Sequence, residues 1–250
     1  MPTQSLPLER TSAPCDEAIA SSTQWIAYFQ ANGKKLLDMP WDAGVQLSAD
    51  ERRCLIPSIQ DFQLGESSEA ENPRRMASRY AQQSGDVWYP DAMRLFLGEE
   101  HRHSRLLGRY LDLAGAPRLK FSWDDALFRK LRRAMGMELM LMTLLMAETI
   151  AMVYYLALFR ASGCPLLKRI CAQLLRDEKP HVEFHVERLA IMRRGRSRGV
   201  QKIVNGAHRI LFTATCLVVW KRHAGVMRQS GHTFRSFWRN CWREFRRVLR

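Results

Sequence analysis

The chain has 250 residues, of which 46% are hydrophobic, and a formal net charge of +14 at pH 7. This length and composition exclude disorder throughout and allow one domain with a substantial core. Residues 1–190 hold 24 Lys and Arg against 24 Asp and Glu, whereas residues 191–250 hold 15 against 1, so a neutral body carries a basic tail. Such a tail favours an anionic partner, namely phospholipid, nucleic acid or an acidic protein.

The cysteines and the apolar runs indicate the setting in which the chain works. The six cysteines include no C-x-x-C pair, which excludes a zinc ribbon and a thioredoxin-type motif and favours a reducing, cytoplasmic setting. The N-terminus lacks the basic and then apolar run of a secretory signal. The longest apolar run of the tail, residues 210–220, is much shorter than the roughly 20 residues that a bilayer span needs. The sequence therefore predicts no transmembrane helix.

The first long helix follows an N-terminal lead-in. Residues 1–45 are expected to be partly ordered, because Pro and Ser are frequent at the start of the chain. Ser48 and Glu51 have the spacing of a capping box, which predicts a helix start. Asn72–Pro73 should interrupt or kink this helix before it continues to about Gln83.

Helical signals dominate the rest of the chain as well. The next three helices are predicted at about Val87 to Ala114, Ser122 to Arg160 and Pro165 to Gly195. No run of alternating apolar and polar residues indicates a strand, so we predict an all-α fold. Four long helices with two short turns and one longer link are typical of an antiparallel four-helix bundle, here at residues 46–195. Residues 196–250 should form a basic extension of two helices, roughly 200–228 and 233–250.

Two E-x-x-H motifs lie on different helices. They are Glu100 with His103 on the second long helix, and Glu178 with His181 on the fourth. Residues three apart on an α-helix project to the same side, so each carboxylate and imidazole can converge on one metal ion. Both motifs lie on apolar helical stripes and are therefore expected to face the interior of the bundle.

The other two long helices each contribute a carboxylate. Glu148 lies in the apolar segment MTLLMAETIAMVYY, where a lone buried carboxylate would be costly unless it were protonated, paired or bound to a cation. Glu66 follows the inward stripe of the first helix, and Glu69, one turn later, is the less favoured alternative. Glu66 precedes Glu100 by 34 residues and Glu148 precedes Glu178 by 30, so each pair should meet at equal depth in its hairpin.

This arrangement resembles the ferritin-like di-iron carboxylate proteins, in which two helices each give one Glu and two give E-x-x-H. The resemblance covers about residues 50–190. LGES of the first helix also looks like the corresponding rubrerythrin segment, although the C-x-x-C pairs of a rubredoxin-like iron site are missing. The resemblance implies two Fe ions, or a Mn/Fe pair, with Glu66 and His103 on one ion, Glu148 and His181 on the other, and Glu100 and Glu178 as bridges.

Further residues near the motifs have two interpretations each. By the same resemblance, Asp177 and Glu99 are acceptors that orient a ligand imidazole across the bundle; alternatively they are solvated acids of a helix face. His185 is a third nitrogen ligand, as in some di-iron N-oxygenases, or a hydrogen-bonded core histidine. Pro180 should kink or bulge its helix locally while Glu178 and His181 still converge.

The resemblance implies an oxidase or oxygenase that activates O₂ on a small-molecule or lipid-like substrate. Five methionines of the third helix either line an apolar substrate pocket or form adaptable core. The alternatives are a ferroxidase or peroxide-scavenging protein, and a helical protein without catalysis that binds an anionic partner or a membrane through its basic tail. Without metal, the constellation would be a helical bundle in which buried acids pair with arginine and the histidines are polar core. The residues point to no particular electron donor, and a monomer or homodimer is expected.

The tail ends in a basic amphipathic helix. Its apolar face holds Phe234, Phe237, Trp238, Cys241, Phe245, Val248 and Leu249, with five arginines largely outside that face. Residues 200–250 either contact an anionic membrane, which would place the protein peripherally on the inner face of a membrane, or pack the aromatic face on the bundle. Nucleic acid is less favoured, because the chain contains no recognised nucleic-acid motif.

Overall fold

A computed structural model describes residues 14–67, 71–120 and 136–248. Every regular element within these ranges is helical, which confirms the all-α prediction. The α-helices are α1 (Pro14–Asn32), α2 (Ala49–Glu66), α3 (Glu71–Ser84), α4 (Tyr89–Leu113), α5 (Met137–Ala161), α6 (Pro165–Met192), α7 (Arg198–Gln229) and α8 (Phe234–Val248). The helix start predicted at Ser122 lies outside the described residues.

Helices α2, α4, α5 and α6 form the bundle. Helices α2 and α4 run antiparallel, because Arg52 Nη1 donates to the Ala114 carbonyl (2.6 Å) at one end and Gln63 Nε2 donates to Ser104 Oγ (2.9 Å) towards the other. A turn of three residues, 162–164, joins α5 to α6, and the two helices pack along each other as a hairpin. The bundle core lies between these two hairpins.

The predicted capping box starts α2. Ser48 Oγ accepts a hydrogen bond from the Glu51 amide (3.2 Å), and Glu51 Oε2 accepts one from the Ser48 amide (2.8 Å). The other oxygen of Glu51 accepts from the Gly163 amide (2.6 Å) in the turn between α5 and α6. The Gly163 and Ser48 amides lower the pKa of Glu51. One carboxylate thus caps its own helix and anchors the neighbouring hairpin.

The interruption of the first long helix comes earlier than the sequence predicts. Helix α2 ends at Glu66 and α3 begins at Glu71, so the break precedes Asn72–Pro73. Proline fits the first turn of α3 because a backbone N–H there would have no acceptor within the helix. Pro180 lies inside α6, which continues as one helix on both sides of it.

The lead-in contains a helix that the sequence analysis does not anticipate. Helix α1 packs against α4 and α6. Its Trp25 Nε1 donates to Glu187 Oε2 (2.8 Å), and the Trp25 ring meets the Phe184 ring edge-on, with 5.5 Å between ring centroids. Phe29 of α1 is buried beside the same Phe184. The polar residues scattered through α1 weaken its amphipathic pattern, so packing on the bundle establishes it as a structural element.

A buried arginine of α6 links this helix to α1 and to the turn that precedes α4. Arg188 is 1% exposed, its Nη1 lies 2.8 Å from Asp86 Oδ2, and its Nη2 donates to Ser22 Oγ (2.7 Å). Its guanidinium carbon also lies 4.2 Å from the centre of the Tyr89 ring. Removing one partner of a buried ion pair leaves an uncompensated charge, so these contacts stabilise the three elements together.

The last helix packs its aromatic face against the protein. Phe237, Cys241 and Phe245 of α8 are buried, and the Phe245 ring stacks on Phe212 of α7 with 3.9 Å between centroids. The sequence leaves two arrangements open for this helix, contact with a membrane or packing on the protein. The described part of α8 packs on the protein. Leu249 lies outside the described residues.

Truncating this aromatic contact should destabilise the fold. We expect Phe245→Ala to lower the free energy of unfolding by about 3–5 kcal/mol, because it leaves a cavity against Phe212. Phe234→Ala, at a side chain that is 39% exposed on the same helix, should cost clearly less. Urea denaturation of the two variants measures the difference, and equal losses would contradict the packing of α8.

Candidate metal centre

Six side chains from the four bundle helices meet in the interior. Their donor atoms form three overlapping groups, and within each group the donor atoms lie within 4.8 Å of one another: Glu66, His103 and Glu178; Glu100, His103 and His181; Glu148, Glu178 and His181. These are the six side chains that the helical spacing selects. Their role as metal ligands stays a prediction, whereas their convergence is an observed feature of the fold.

Each imidazole faces carboxylate oxygens from its own helix and from other helices. His103 Nδ1 lies 3.8 Å from Glu66 Oε2 and 3.7 Å from Glu100 Oε1. His181 Nδ1 lies 3.0 Å from Glu100 Oε1. The two oxygens of Glu178 divide between the rings, with Oε1 3.6 Å from His103 Nδ1 and Oε2 3.7 Å from His181 Nδ1. Glu178 therefore occupies the position between two donor sets, and its convergence with His181 survives the proline two residues after it.

The outer nitrogen of each imidazole has a carboxylate acceptor. His103 Nε2 lies 3.0 Å from Asp177 Oδ2, and His181 Nε2 lies 3.0 Å from Glu99 Oε2. Both contacts cross between α4 and α6, and both acceptors are nearly or fully buried. Asp177 and Glu99 are thus placed as orienting acceptors and not as solvated acids of a helix face. A proton held on Nε2 leaves the lone pair of Nδ1 directed into the centre.

The residues that hold these two acceptors include several that the sequence analysis misses. Asn32 Nδ2 donates to both Glu99 Oε1 and Asp177 Oδ1, at 2.9 Å each. Gln173 Nε2 donates to Asp177 Oδ2 (2.9 Å), and Arg102 Nη2 lies 3.1 Å from the same oxygen and 3.0 Å from Glu99 Oε1. Gln173 is four residues before Asp177, which is a local signal; Asn32 comes from α1 and gives no such signal.

Tyr155 of α5 adds a contact to the inner set. Its hydroxyl donates to Glu66 Oε1, and burial, followed by the nearby Glu66 carboxylate, raises the pKa of the phenol well above its usual value. Tyr155 ends the apolar segment that carries Glu148, and the sequence assigns it no partner because only tertiary packing brings α2 alongside it.

Several buried oxygen and nitrogen atoms that could ligate a metal in the centre lack a hydrogen-bond partner among the described residues. They are Glu100 Oε1, His103 Nδ1, both carboxylate oxygens of Glu178 and His181 Nδ1. The 3.0 Å approach of His181 Nδ1 to Glu100 Oε1 lacks the alignment of a hydrogen bond. Lone pairs that face one another in a buried site repel unless a proton or a cation lies between them, so these atoms fit a metal ion.

In the absence of metal, protons take the place of cations. Burial opposes the charge on His103, but its contacts with Asp177 and Glu66 outweigh burial and raise its pKa to about 10. Burial and the neighbouring Glu100 raise the pKa of Glu66 to about 7. The pKa of Glu148 is raised well above its usual range for the same two reasons. The site therefore holds extra protons near neutral pH, which cations would displace on binding.

The arginine-paired alternative does not describe this centre. Among the described residues, ion pairs join Glu66, Glu100 and Glu178 to His103 or His181, whereas Arg102 pairs with the outer acids Glu99 and Asp177. Among the described residues, the centre and its outer acids therefore contain six carboxylates and one guanidinium. Two divalent cations with neutral imidazoles would bring the centre to within one charge of neutrality.

His185 and Glu69 have different outcomes. His185 is fully buried, its ring centroid is 4.6 Å from that of Phe96, and neither ring nitrogen has a hydrogen-bond partner among the described residues. Burial and the neighbouring His181 lower the pKa of His185 to about 3, so its ring is neutral. It belongs to none of the three donor groups, and its ligand role stays a prediction. Glu69 lies outside the described residues.

The sequence matches no family model and no curated protein. Among solved structures, the fold is similar to that of a tyrosine-to-phenylalanine variant of an R2-like ligand-binding oxidase with an anaerobically reconstituted Mn/Fe cofactor. The TM-score is 0.61 and the sequence identity is 14%, over 97% of this chain and 94% of that chain. This likeness confirms the ferritin-like helical bundle at the level of the fold. The narrower likeness to rubrerythrin stays a prediction.

Because the metal-free centre holds extra protons, the stability of the fold should fall as the pH rises. The stabilisation from His103 is complete below its unfolded pKa of 6.5 and is lost as the pH rises through about 10. Glu66 acts in the same direction at lower pH, because its pKa rises on folding. We expect the unfolding free energy of chelator-treated protein to fall across this window, as measured by urea titration.

His103→Gln provides the control for this pH dependence, because glutamine keeps a polar side chain and does not titrate. The fall should be clearly smaller in the variant. A metal-loaded sample should show the opposite trend at low pH, since protons compete with metal for the imidazoles. Identical pH profiles for wild type and His103→Gln would contradict the proton-filled centre.

Proposed function

We propose that this protein is a dinuclear oxidase that binds two iron ions, or one manganese and one iron ion, and reacts with O₂. The observation that carries the proposal is the buried set of imidazole and carboxylate lone pairs that face one another without hydrogen-bond partners among the described residues. Mixed oxygen and nitrogen ligation suits Fe and Mn. The similar fold of an R2-like ligand-binding oxidase with a Mn/Fe cofactor supports the same class of chemistry.

Each inner side chain has a role in this proposal. Glu66 and His103 would hold one ion, Glu148 and His181 would hold the other, and Glu100 and Glu178 would contact both. The two oxygens of Glu178, each facing a different imidazole, support its bridging role. The 3.7 Å and 3.0 Å approaches of Glu100 Oε1 to the two rings support the same role for Glu100.

The bound ions would supply the electrons and the open coordination positions that O₂ activation requires. The chain's own residues prepare the site. Asp177 and Glu99 orient the imidazoles through their Nε2 atoms, which holds the Nδ1 lone pairs towards the centre. Tyr155 holds the Glu66 carboxylate in place. Phe96 packs edge-on against His181, with 4.9 Å between ring centroids, and helps to exclude water.

The proposed substrate is a small apolar molecule. Met152 lies one helical turn after Glu148 on α5 and is half-buried, so a flexible, apolar side chain lies on the same helix face as this carboxylate. The word "ligand-binding" describes the similar oxidase and supports a small-molecule ligand here.

Metal content tests the proposed centre directly. We expect protein loaded with Fe(II) to retain about two metal ions per chain after desalting, by elemental analysis. Glu148→Ala and His181→Ala should each lose at least one ion, because each removes a proposed terminal ligand. The matched controls are Glu183→Ala, at an exposed glutamate of α6, and His101→Ala, at a histidine outside the donor groups. Equal retention by all four variants would contradict the assignment.

Oxygen consumption tests the proposed chemistry. With excess reductant and an apolar candidate substrate, iron-loaded protein should consume O₂ over repeated turnovers and form an oxygen-dependent product. Metal-depleted Glu148→Ala should not. A protein that stores iron would instead stop consuming O₂ once its Fe(II) is oxidised and would elute from size-exclusion chromatography as a large assembly. These two results together would indicate iron storage and contradict the proposed oxidase.

A further inference from the structure

Helix α7 exposes an apolar stripe along much of its length. Ile203 and Ile210 are 75% and 74% exposed, and Val200 and Leu217 are each 49% exposed. Their spacing, with exposed alanines at positions 207 and 214 between them, follows every third or fourth residue and therefore one helix face. At 1.5 Å per residue the stripe is about 26 Å long. A continuous exposed apolar face of this size indicates an interaction surface.

The opposite face of α7 is packed against the protein. His208, Phe212, Cys216 and Val226 are buried there. By length and composition alone, α5 and α7 could cross a membrane, but 78% of the relevant window of α5 is buried in the protein, against 22% for α7. Helix α7 therefore resembles a helix that lies along a surface, with one face on the protein and the other face outwards.

Basic residues border the exposed stripe. Lys202 and Arg209 are exposed on one flank, and Lys221 and Arg228 are exposed beyond the C-terminal end of the stripe. Residues 191–250 as a whole carry 15 Lys and Arg against one Glu. An apolar face flanked by cations is the pattern of a helix that lies in the interface of an anionic bilayer.

We propose that α7 docks this protein on the surface of an anionic phospholipid bilayer, with Ile203 and Ile210 inserted among the lipids and the flanking cations on the headgroups. The helix axis lies parallel to the membrane plane, because crossing the bilayer would pull Phe212 and the other buried residues of α7 away from the protein, including the contact of Phe212 with Phe245. Helix α8 contributes arginines, whereas Phe237, Cys241 and Phe245 of its apolar face are buried in the protein. This docking is independent of the proposed metal chemistry.

Charge distinguishes among the partners that could cover the exposed stripe of α7. A second copy of the chain would present the same basic tail, and like charges would oppose pairing along α7. A nucleic acid would satisfy the cations but would leave the isoleucines in water, since phosphate groups offer no apolar surface. An anionic bilayer complements both the apolar stripe and its flanks.

Vesicle flotation tests the docking with the full-length, metal-loaded protein. The protein should float with phosphatidylcholine vesicles that contain phosphatidylglycerol, bind vesicles of phosphatidylcholine alone much less, and dissociate at high salt. Ile203→Glu should reduce binding to the anionic vesicles by about tenfold or more, because it replaces an inserted apolar side chain with a charge.

The matched control is Val87→Glu, which makes the same charge change at a 67% exposed apolar residue outside α7 and should bind like wild type. Both sites are exposed, so thermal denaturation should show that both variants are folded. Failure of the wild type to float, or equal binding by Ile203→Glu and Val87→Glu, would overturn the proposal. So would a dimer that Ile203→Glu dissociates, or binding to a DNA duplex in preference to vesicles. None of these outcomes bears on metal content or O₂ consumption.

Discussion

The arrangement of the bundle depends on one electrostatic constraint, which is that two imidazole lone pairs and four glutamates point at one another in a buried space. His103 Nδ1 and His181 Nδ1 each face an oxygen of Glu100 and an oxygen of Glu178, one on the same helix and one on the facing helix. Such a group is stable only with positive charge inside it, supplied by protons in the metal-free protein and by cations in the loaded one. The raised pKa values of His103 and Glu66 express this requirement.

The surrounding elements hold the centre in one geometry. Asp177 and Glu99 accept from the imidazoles across the bundle, and Asn32 of α1 donates to both acids at once. Helix α1 is itself anchored by the buried Arg188, which joins it to the turn before α4. The N-terminal helix therefore stabilises the centre as well as covering the bundle, and its position is part of how the imidazoles are oriented.

The basic tail contains two helices, α7 and α8, that look alike in the sequence but differ in which face is buried. The aromatic face of α8 is buried on Phe212 and contributes to the core, whereas the isoleucines of α7 face outwards. Both helices combine apolar residues with basic ones, so composition alone does not say which face is free. The packed face of α7 leaves its other face, and the cations beside it, available to a partner.

The sequence by itself determines the helices and the residues that face inward, because helical periodicity and the E-x-x-H spacing are local properties of the chain. The cap at Ser48, the turns and the six inner side chains all follow from such signals. Only the tertiary structure decides the contacts of Asn32, Arg102 and Tyr155, because their partners lie on other helices, and periodicity does not specify which helices become neighbours. For the same reason the tertiary structure alone decides which apolar face of the tail is buried.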